Sequence, residues 1–217
     1  MTNFIPIFPL GIVLYPQEKT HLHIFEPRYK QLIAECHEQR KPFGIPVILN
    51  NRLQDMGALT EVTEIVRTYE SGEMDINIRA IKIFRILELI NTIPNKLYSG
   101  AIVNYPDNQE NDGRPKLVGA IMKGIKEVHR LLNVHKDLGK PDSLLSAYDL
   151  AHHAGLSLQQ EYEFMGLFSE LQRQEYLKRH LRKVLPILAG MEQLKQRVKL
   201  NGDFRNLSSL DLNIDPL

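Results

Sequence analysis

The stretch from Ile5 to Ile33 constrains the fold most, because its pattern changes from extended to helical along a short length of chain. It has the sequence IPIFPLGIVLYPQEKTHLHIFEPRYKQLI. Pro6, Pro9 and Gly11 punctuate its first part, which predicts extended chain rather than helix. The alternation in HLHIF predicts a strand with both histidines on one face. Pro27 then suits the first turn of a helix whose apolar face holds Tyr29, Leu32, Ile33 and Cys36.

The chain up to residue 106 continues with short segments of alternating character, which predict further strands. These segments cover residues 43–49, 58–69, 76–89 and 97–103. Pro46 has no N–H to donate, so the first segment is expected at a sheet edge or at a bulge. A change of register near Lys82 predicts a bulge or bend in the third. Residues 1–106 are therefore expected to form a small antiparallel, barrel-like sheet of about six strands with one inserted helix.

Two polar stretches between these segments are interpreted as connections. The stretch 70–73 contains a glycine and predicts a hairpin turn. Asn50 and Asn51 are interpreted as the start of a loop that reaches Gly57. On this interpretation Leu53 and Met56 lie on a loop, where side chains are open to contact with a partner.

The second half of the chain has helical periodicity throughout. A polar segment, DNQENDG, predicts a linker over residues 107–115, and apolar residues at steps of three and four predict a helical bundle over 116–205. Ser143, Ser157 and Ser169 are predicted helix N-caps, the last two with a Gln at the capping-box position. The final helix is expected to be long, kinked at Pro186 and ended by Gly202. Residues 206–217 are predicted to be a loose tail.

Both halves carry motifs of a known family. The elements FPL, YP and IFEPRY in the first half, with LLSAYDLAHHAGLSLQQEYEFMGLFSELQRQEYLKRHLRKVLPIL in the second, resemble the amino-terminal substrate-binding domain of Lon-type proteases. That domain also occurs as stand-alone proteins. The resemblance covers residues 4 to about 200 and implies an α+β fold, a PUA-like pseudo-barrel followed by a helical bundle that ends in a long helix. The family often has glycine where this chain has Ala80.

Composition excludes some classes of function. The chain has 27 basic and 26 acidic residues and a net charge of +1, so no overall field attracts nucleic acid or an anionic membrane. Its one cysteine, Cys36, sits at an apolar helical position and indicates a buried thiol in a reducing compartment. A signal peptide is not expected at the amino terminus, and no apolar run in the sequence approaches the length needed to span a bilayer. A cytoplasmic protein that does not enter membranes is expected.

Catalysis is not expected, and neither is a cofactor or a bound metal. The motif GxxxxGK[ST] for ATP phosphates does not occur in the sequence. His21, His23 and Glu26 are a conceivable metal set, but a solvated strand face is the preferred interpretation. His152 and His153 are adjacent on a helix and so point apart. Glu26 with Arg28 is expected to cap the first helix and tie it to a strand.

The resemblance implies a non-catalytic module that binds an unfolded polypeptide or a partner protein, such as a protease. Apolar surface beside a strand edge is the expected binding site. The candidate contact residues are aromatic or apolar residues at predicted loops and strand ends: Tyr15, Phe25, Tyr29, Leu53, Met56 and Tyr69. The long last helix is also expected to support self-association.

The alternative is RNA binding through the PUA-like barrel and a basic helix face. The run KRHLRK, residues 178–183, supplies that face. A charged outer face is also what an amphipathic helix needs for solubility, and no aromatic residue is interleaved in the run. Nucleic acid is therefore the less favoured partner.

Overall fold

A computed structural model describes residues 3–136, 139–141 and 144–205, with side chains as far as Leu200. Its first half has six strands and one helix: β1 Asn3–Pro6, β2 Lys19–Ile24, α1 Pro27–Gln39, β3 Phe43–Leu49, β4 Arg52–Thr68, β5 Met74–Ile90 and β6 Gly100–Asn104. Its second half is helical: α2 Pro115–Leu132, α3 Ala147–Ala151, α4 Leu158–Met165 and α5 Glu170–Arg205. The predicted α+β fold with a long last helix is confirmed.

The six strands form one antiparallel sheet that curls into a barrel. The strand order is β1-β6-β5-β4-β3, and β2 pairs with the first part of β5. The chain after β1 runs beside β3, with parallel bridges from Ile7 to Gly44 and from Leu10 to Val47. These bridges join the two ends of the strand order, so the edges of the sheet meet. This is the predicted pseudo-barrel.

Both predicted irregularities of the sheet are present. The pairing of β3 with β4 shifts register between Pro46 and Ile48, and the bulge accommodates a residue that has no N–H to donate. The pairing of β4 with β5 passes from Lys82 to Ala80 while the partner strand advances by one residue, which leaves Ile81 as the bulged residue. Ala80 itself is fully buried.

The turn after β3 is much shorter than predicted. Asn50 and Asn51 both have positive φ, 50° and 59°, as in the two-residue hairpin turns that asparagine tolerates well. β4 therefore begins at Arg52, and Leu53 pairs with Ile48 on β3. The predicted loop from Asn50 to Gly57 is wrong, because the asparagine pair closes the hairpin by itself.

Two apolar clusters explain how the lobes are held. One lies between α1 and the sheet and includes Leu32, Ile33 and Cys36, so the buried thiol is confirmed. Burial raises the pKa of Cys36 to about 11. The other contains Val13, Tyr15, Val47, Leu49, Met56 and Ile83 from the barrel together with the buried faces of α2 to α5. Barrel and helices thus share one core, and the division at residues 107–115 stays a prediction.

Capping explains where the later helices begin. Ser157 and Gln160 form the predicted capping box of α4. Ser146 and Asp149 form another at α3, whereas Ser143 lies outside the described residues. The Ser169 hydroxyl accepts a hydrogen bond from the Gln172 N–H as α5 begins. α5 continues through Pro186 to Arg205, so the predicted end at Gly202 is wrong. The predicted loose tail, 206–217, lies outside the described residues.

A fully buried arginine joins the segment before α2 to the helical bundle. Arg173 is 0% exposed, and its guanidinium donates to Asn108 Oδ1 at 2.7 Å, to the Leu167 carbonyl at 2.8 Å and to the Tyr148 hydroxyl at 3.1 Å. Its Nε lies 3.1 Å from Glu170 Oε2. Removing Arg173 alone is costly, because the buried carboxylate of Glu170 would then lack a counter-charge.

We expect Arg173→Met to lower the free energy of unfolding by about 3 to 5 kcal/mol, because it leaves Glu170 buried without a cation. The measurement is denaturant unfolding followed by circular dichroism. Arg179→Met, on the exposed face of the same helix, is the matched control and should change stability by less than about 0.5 kcal/mol. Equal effects of the two variants would show that the buried network does not stabilise the bundle.

Candidate functional site

An aromatic cluster lies at the tip of the long hairpin formed by β4 and β5. We call His23, Phe25, Arg67, Tyr69 and Asp75 the tip cluster. The imidazole of His23 stacks beside the Phe25 ring at 6.3 Å between centroids and meets the Tyr69 ring edge-on at 5.9 Å. The Arg67 guanidinium lies 4.5 Å from the Tyr69 centroid. Phe25 is 60% exposed, so an apolar ring faces solvent at the centre of a polar setting.

Strand register brings these distant residues together. β5 lies between β2 and β4 at this end of the sheet, and Asp75 pairs with His23 on one side and with Arg67 on the other. The hairpin turn closes through hydrogen bonds from the Tyr69 N–H to the Glu73 carbonyl and from the Gly72 N–H to the Tyr69 carbonyl, both 2.9 Å. Gly72 has φ of 75°, which a side chain would disfavour.

Asp75 holds the two flanking rings in place. Its carboxylate is 2.7 Å from His23 Nδ1 and accepts a hydrogen bond from the Tyr69 hydroxyl at 2.7 Å. The hydrogen bond with His23, and then that from Tyr69, lower the pKa of Asp75. The same contact raises the pKa of the Tyr69 hydroxyl. The carboxylate therefore stays ionised near neutral pH and fixes the rings, while Phe25 remains free to contact another molecule.

A strand edge lies directly beside the tip cluster. Among the described strands β2 pairs with β5 alone. The Ala80 N–H donates to the Glu18 carbonyl at 2.8 Å, and this register turns the backbone groups of Lys19, His21 and His23 away from β5. An unpaired edge of this kind can accept an added strand from an extended polypeptide.

The structure separates the six predicted contact residues into two groups. Phe25 and Tyr69 belong to the tip cluster, and Leu53 is 38% exposed at the start of β4. Tyr15, Tyr29 and Met56 are only 1%, 7% and 7% exposed. Their roles as contact residues stay predictions, and only the exposed residues enter the surface that we propose below.

Each of the three buried residues has a packing partner. The Tyr15 ring stacks on Tyr148 in the core shared by the lobes, with 5.1 Å between the ring centroids. The ring centroids of Tyr29 and Phe8 lie 4.0 Å apart. Met56 belongs to the same shared core as Tyr15. The helical spacing places Tyr29 on the apolar face of α1, whereas the local sequence does not tell which side of the chain at Tyr15 and Met56 faces the core.

His23, Arg67 and Asp75 were not among the polypeptide-contact residues predicted from the sequence. One signal was available for His23, since strand alternation places it on the same face as Phe25, two residues on. No local signal indicates Arg67 or Asp75, because their proximity depends on the pairing of β4 with β5.

The residues considered for metal binding have other contacts. His21 Nδ1 lies 3.2 Å from the Asn77 side-chain oxygen, and His23 contacts Asp75. Glu26 was expected to cap α1, but its side chain makes no capping hydrogen bond. It forms an ion pair at 2.7 Å with Arg28 instead. Within the described ranges, no group of three His, Cys, Asp or Glu side chains is placed to hold a metal ion.

A charged contact joins the barrel to the helices on another side. His152 Nδ1 lies 2.7 Å from Glu161 on α4, and its Nε2 lies 3.1 Å from Glu18 just before β2. The Tyr15 hydroxyl donates to the Glu161 carbonyl at 3.2 Å. Burial lowers the pKa of His152, but the hydrogen bonds to Glu161 and Glu18 outweigh it and raise the pKa to about 9. His152 is therefore a cation at neutral pH that bridges the two lobes.

His152→Gln should lower stability in a pH-dependent way. The pKa of His152 is higher in the folded chain than its usual value of 6.5, so the stabilisation is fully present below about pH 6.5 and is lost as the pH rises through about 9. We expect a loss of about 1 to 2 kcal/mol at pH 6, reduced from the full linkage value by solvent screening. The side chain of His152 is 34% exposed. Urea unfolding of the wild type and the variant measures the loss of stability at pH 6 and at pH 10. An equal loss at the two pH values would show that a protonated His152 does not stabilise the fold.

With the geometry established, comparison with known proteins identifies the family. The family model of the ATP-dependent protease La (LON) substrate-binding domain matches residues 5–185. The chain belongs to this family. The predicted resemblance is confirmed, and the substrate-binding domain accounts for most of the 217 residues. No helix in the described part of the chain is both long and apolar enough to cross a membrane.

Two solved structures have the same fold. The Lon N-terminal domain protein from Xanthomonas campestris is 21% identical with a TM-score of 0.62, and the match covers 81% of this chain and 96% of that one. The N-terminal domain of Mycobacterium avium complex Lon protease is 11% identical with a TM-score of 0.58, and the match covers 83% of this chain and 98% of that one. At these identities the likeness establishes the fold alone.

Proposed function

We propose that this chain binds extended, apolar segments of unfolded polypeptide at the tip cluster and the free edge of β2, without cleaving them. The observation that carries the proposal is the position of Phe25, 60% exposed, beside an unpaired strand edge. A strand added to β2 would gain backbone hydrogen bonds, which read no sequence. Phe25 and Tyr69 would add apolar contact. Together these features suit polypeptides of varied sequence.

The family membership supports the same proposal. The matched model describes a substrate-binding domain of a protease, so a polypeptide substrate, delivered to a protease as partner, is the natural occupant. A role in binding without chemistry, in the cytoplasm, is part of the proposal. The neutral thiol of Cys36 agrees with a reducing compartment.

We expect Phe25→Ser to weaken binding of a reduced, unfolded model polypeptide by about tenfold, which is about 1.4 kcal/mol, because a central aromatic residue contributes more to an interface than its neighbours do. Fluorescence anisotropy of the labelled polypeptide measures this, with its folded form as a non-binding control. Leu132→Ser, at an apolar residue 52% exposed on α2, is the matched variant and should bind like the wild type. Equal affinity of the two variants would exclude the tip cluster.

The strand edge is tested separately by comparing His21→Pro with His21→Ala. The N–H of residue 21 points away from β5, so proline there removes an edge donor without removing a hydrogen bond of the sheet. We expect His21→Pro to weaken polypeptide binding several-fold and His21→Ala to leave it unchanged. Circular dichroism confirms that both variants are folded. Wild-type affinity of the proline variant would show that no strand is added at β2.

The RNA-binding alternative has one observation in its favour. A groove of about 660 Å³ beside α5 is lined by Lys178, Arg179, Arg182 and Lys183. It also includes Tyr176, whose ring centroid lies 5.8 Å from the Arg179 guanidinium. An aromatic ring among basic side chains is a feature of surfaces that bind single-stranded nucleic acid. The run of residues 178–183 contains no aromatic residue, but Tyr176, which precedes it, contributes an aromatic ring to the groove.

Retention on heparin at low ionic strength tests this alternative. An RNA-binding groove predicts that the wild type is retained and that the double variant Arg182→Gln, Lys183→Gln elutes at lower salt. Lys195→Gln with Arg197→Gln removes the same charge farther along α5 and is the control. Absence of retention, or an equal effect of the two double variants, would exclude the groove as a nucleic-acid site.

Self-association through α5 is also part of the proposal. Ile187, Met191, Leu194 and Val198 are each more than 60% exposed and follow a 4-3-4 spacing, which is that of a coiled-coil seam. Sedimentation velocity of the wild type and of Leu194→Glu tests it. A single monomeric species for both would leave the helix without this role.

A further inference from the structure

A second concave site lies on the barrel, away from the tip cluster. It is a recess of about 390 Å³ between β1, the end of α1 and the segment that joins β5 to β6. We call it the α1 recess. This volume falls within the range of small-ligand pockets, roughly 300 to 1,000 Å³. The proposed function does not use it, so the two sites can be tested independently.

The walls of the α1 recess are mainly apolar and one of them is held rigidly. Phe4, Ile93 and Tyr98 contribute to the lining, and Cys36 adds a buried thiol that is neutral because burial raises its pKa. Phe4 is 53% exposed, yet its ring is packed against Gly100 so closely that a Cβ there would come within 2.4 Å of it. The missing side chain of Gly100 thus leaves room for an aromatic wall that is partly open to solvent.

The charged groups of the recess do not balance. Glu35 lies 2.7 Å from Lys96 and also accepts a hydrogen bond from the Tyr98 hydroxyl. Burial raises the pKa of Glu35, but the hydrogen bonds from Lys96 and Tyr98 outweigh it and lower the pKa. Glu35 and Lys96 are therefore neutralised by each other. Lys41, also in the lining, has no ion pair with any described residue, so one positive charge is unmatched.

The end of α1 opposes a bound anion less strongly than an uncapped helix C-terminus would. The Cys36 carbonyl accepts from the Lys41 N–H at 2.9 Å, and the His37 carbonyl accepts from the Arg40 N–H at 3.2 Å. These bonds satisfy two of the carbonyls that would otherwise repel a carboxylate. They also fix the backbone of Lys41 beside the recess.

We propose that the α1 recess binds a carboxylate joined to an aromatic or branched apolar body, with Lys41 pairing the carboxylate and the apolar walls enclosing the body. Two sources have this chemistry: a small free carboxylic acid, and the carboxyl-terminal residue of a polypeptide with an apolar side chain. In both, the carboxylate would pair with Lys41, which is exposed and belongs to the lining, and the apolar part would contact Phe4 and Ile93.

The first experiment titrates the labelled protein with 3-phenylpropionate and, in parallel, with the neutral 3-phenylpropanamide, followed by amide chemical shifts. We expect shifts at Ile93 and Tyr98 but not at Phe25, and an affinity for the acid about fivefold above that for the amide, as one exposed ion pair provides. Lys41→Gln should abolish that difference. Equal affinity of the wild type for acid and amide, or no shifts at the recess, would overturn the proposal.

A blocking variant tests the location. Gln39→Trp places a large side chain in the lining of the recess and should remove binding of the acid. Glu38→Trp is the matched control, since Glu38 is exposed on the same turn of α1 and is not in that lining. Binding that survives Gln39→Trp at wild-type strength would also overturn the proposal.

The source of the ligand is distinguished by peptides. A short peptide ending in phenylalanine is compared with its carboxyl-terminal amide in the same titration. Tighter binding of the free-acid peptide, lost in Lys41→Gln, assigns the recess to polypeptide termini, whereas binding of 3-phenylpropionate alone assigns it to small acids. If neither the free-acid peptide nor 3-phenylpropionate binds, the proposal for the α1 recess is wrong. Because Phe25→Ser leaves the recess intact, failure at the tip cluster and failure at the recess are separately visible.

Discussion

The arrangement of the barrel depends on the backbone pairing of one long strand, β5. Residues 74–85 pair with β4, residues 74–79 also pair with β2, and residues 85–90 pair with β6, so a single strand sets the register of three neighbours. The pairing with β2 ends just before Ile81, where the extra residue of the bulge bends the strand and redirects the side chains beyond it. Ile83, just past the bulge, joins the core that the barrel shares with the helices.

The two sites that we propose lie at opposite ends of this strand. Asp75, at its beginning, holds His23 and Tyr69 of the tip cluster, and Ile93 and Tyr98, which follow its end, contribute to the α1 recess. Polar and exposed apolar residues are tolerated at both ends because the middle of the strand supplies the buried contacts. A rigid strand between two binding surfaces also keeps them apart, which allows an extended chain and a small carboxylate to be bound independently.

The helical half is attached by apolar burial and positioned by charge. The shared core supplies most of the free energy of attachment, since burial of apolar area is roughly additive over many side chains. Arg173 and His152 fix how the segments are oriented, because each charged group has defined partners on separate segments. Arg173 has no solvent to replace a lost partner, whereas His152 is partly exposed and titratable, so only the second contact depends on pH near neutrality.

By itself, the sequence determined the elements and the family. Alternation and helical spacing predicted the barrel strands, α1, the capping box at Ser157 and the bulges near Pro46 and Lys82, because these features depend on neighbouring residues. Two boundaries were misjudged: the asparagine pair at 50–51 closes a turn without a loop, and α5 passes Gly202. Only the tertiary structure decided which aromatic residues are exposed. Tyr15 and Phe25 both lie near strand ends, yet one is in the shared core and the other faces solvent, because burial depends on what the rest of the chain packs against each position.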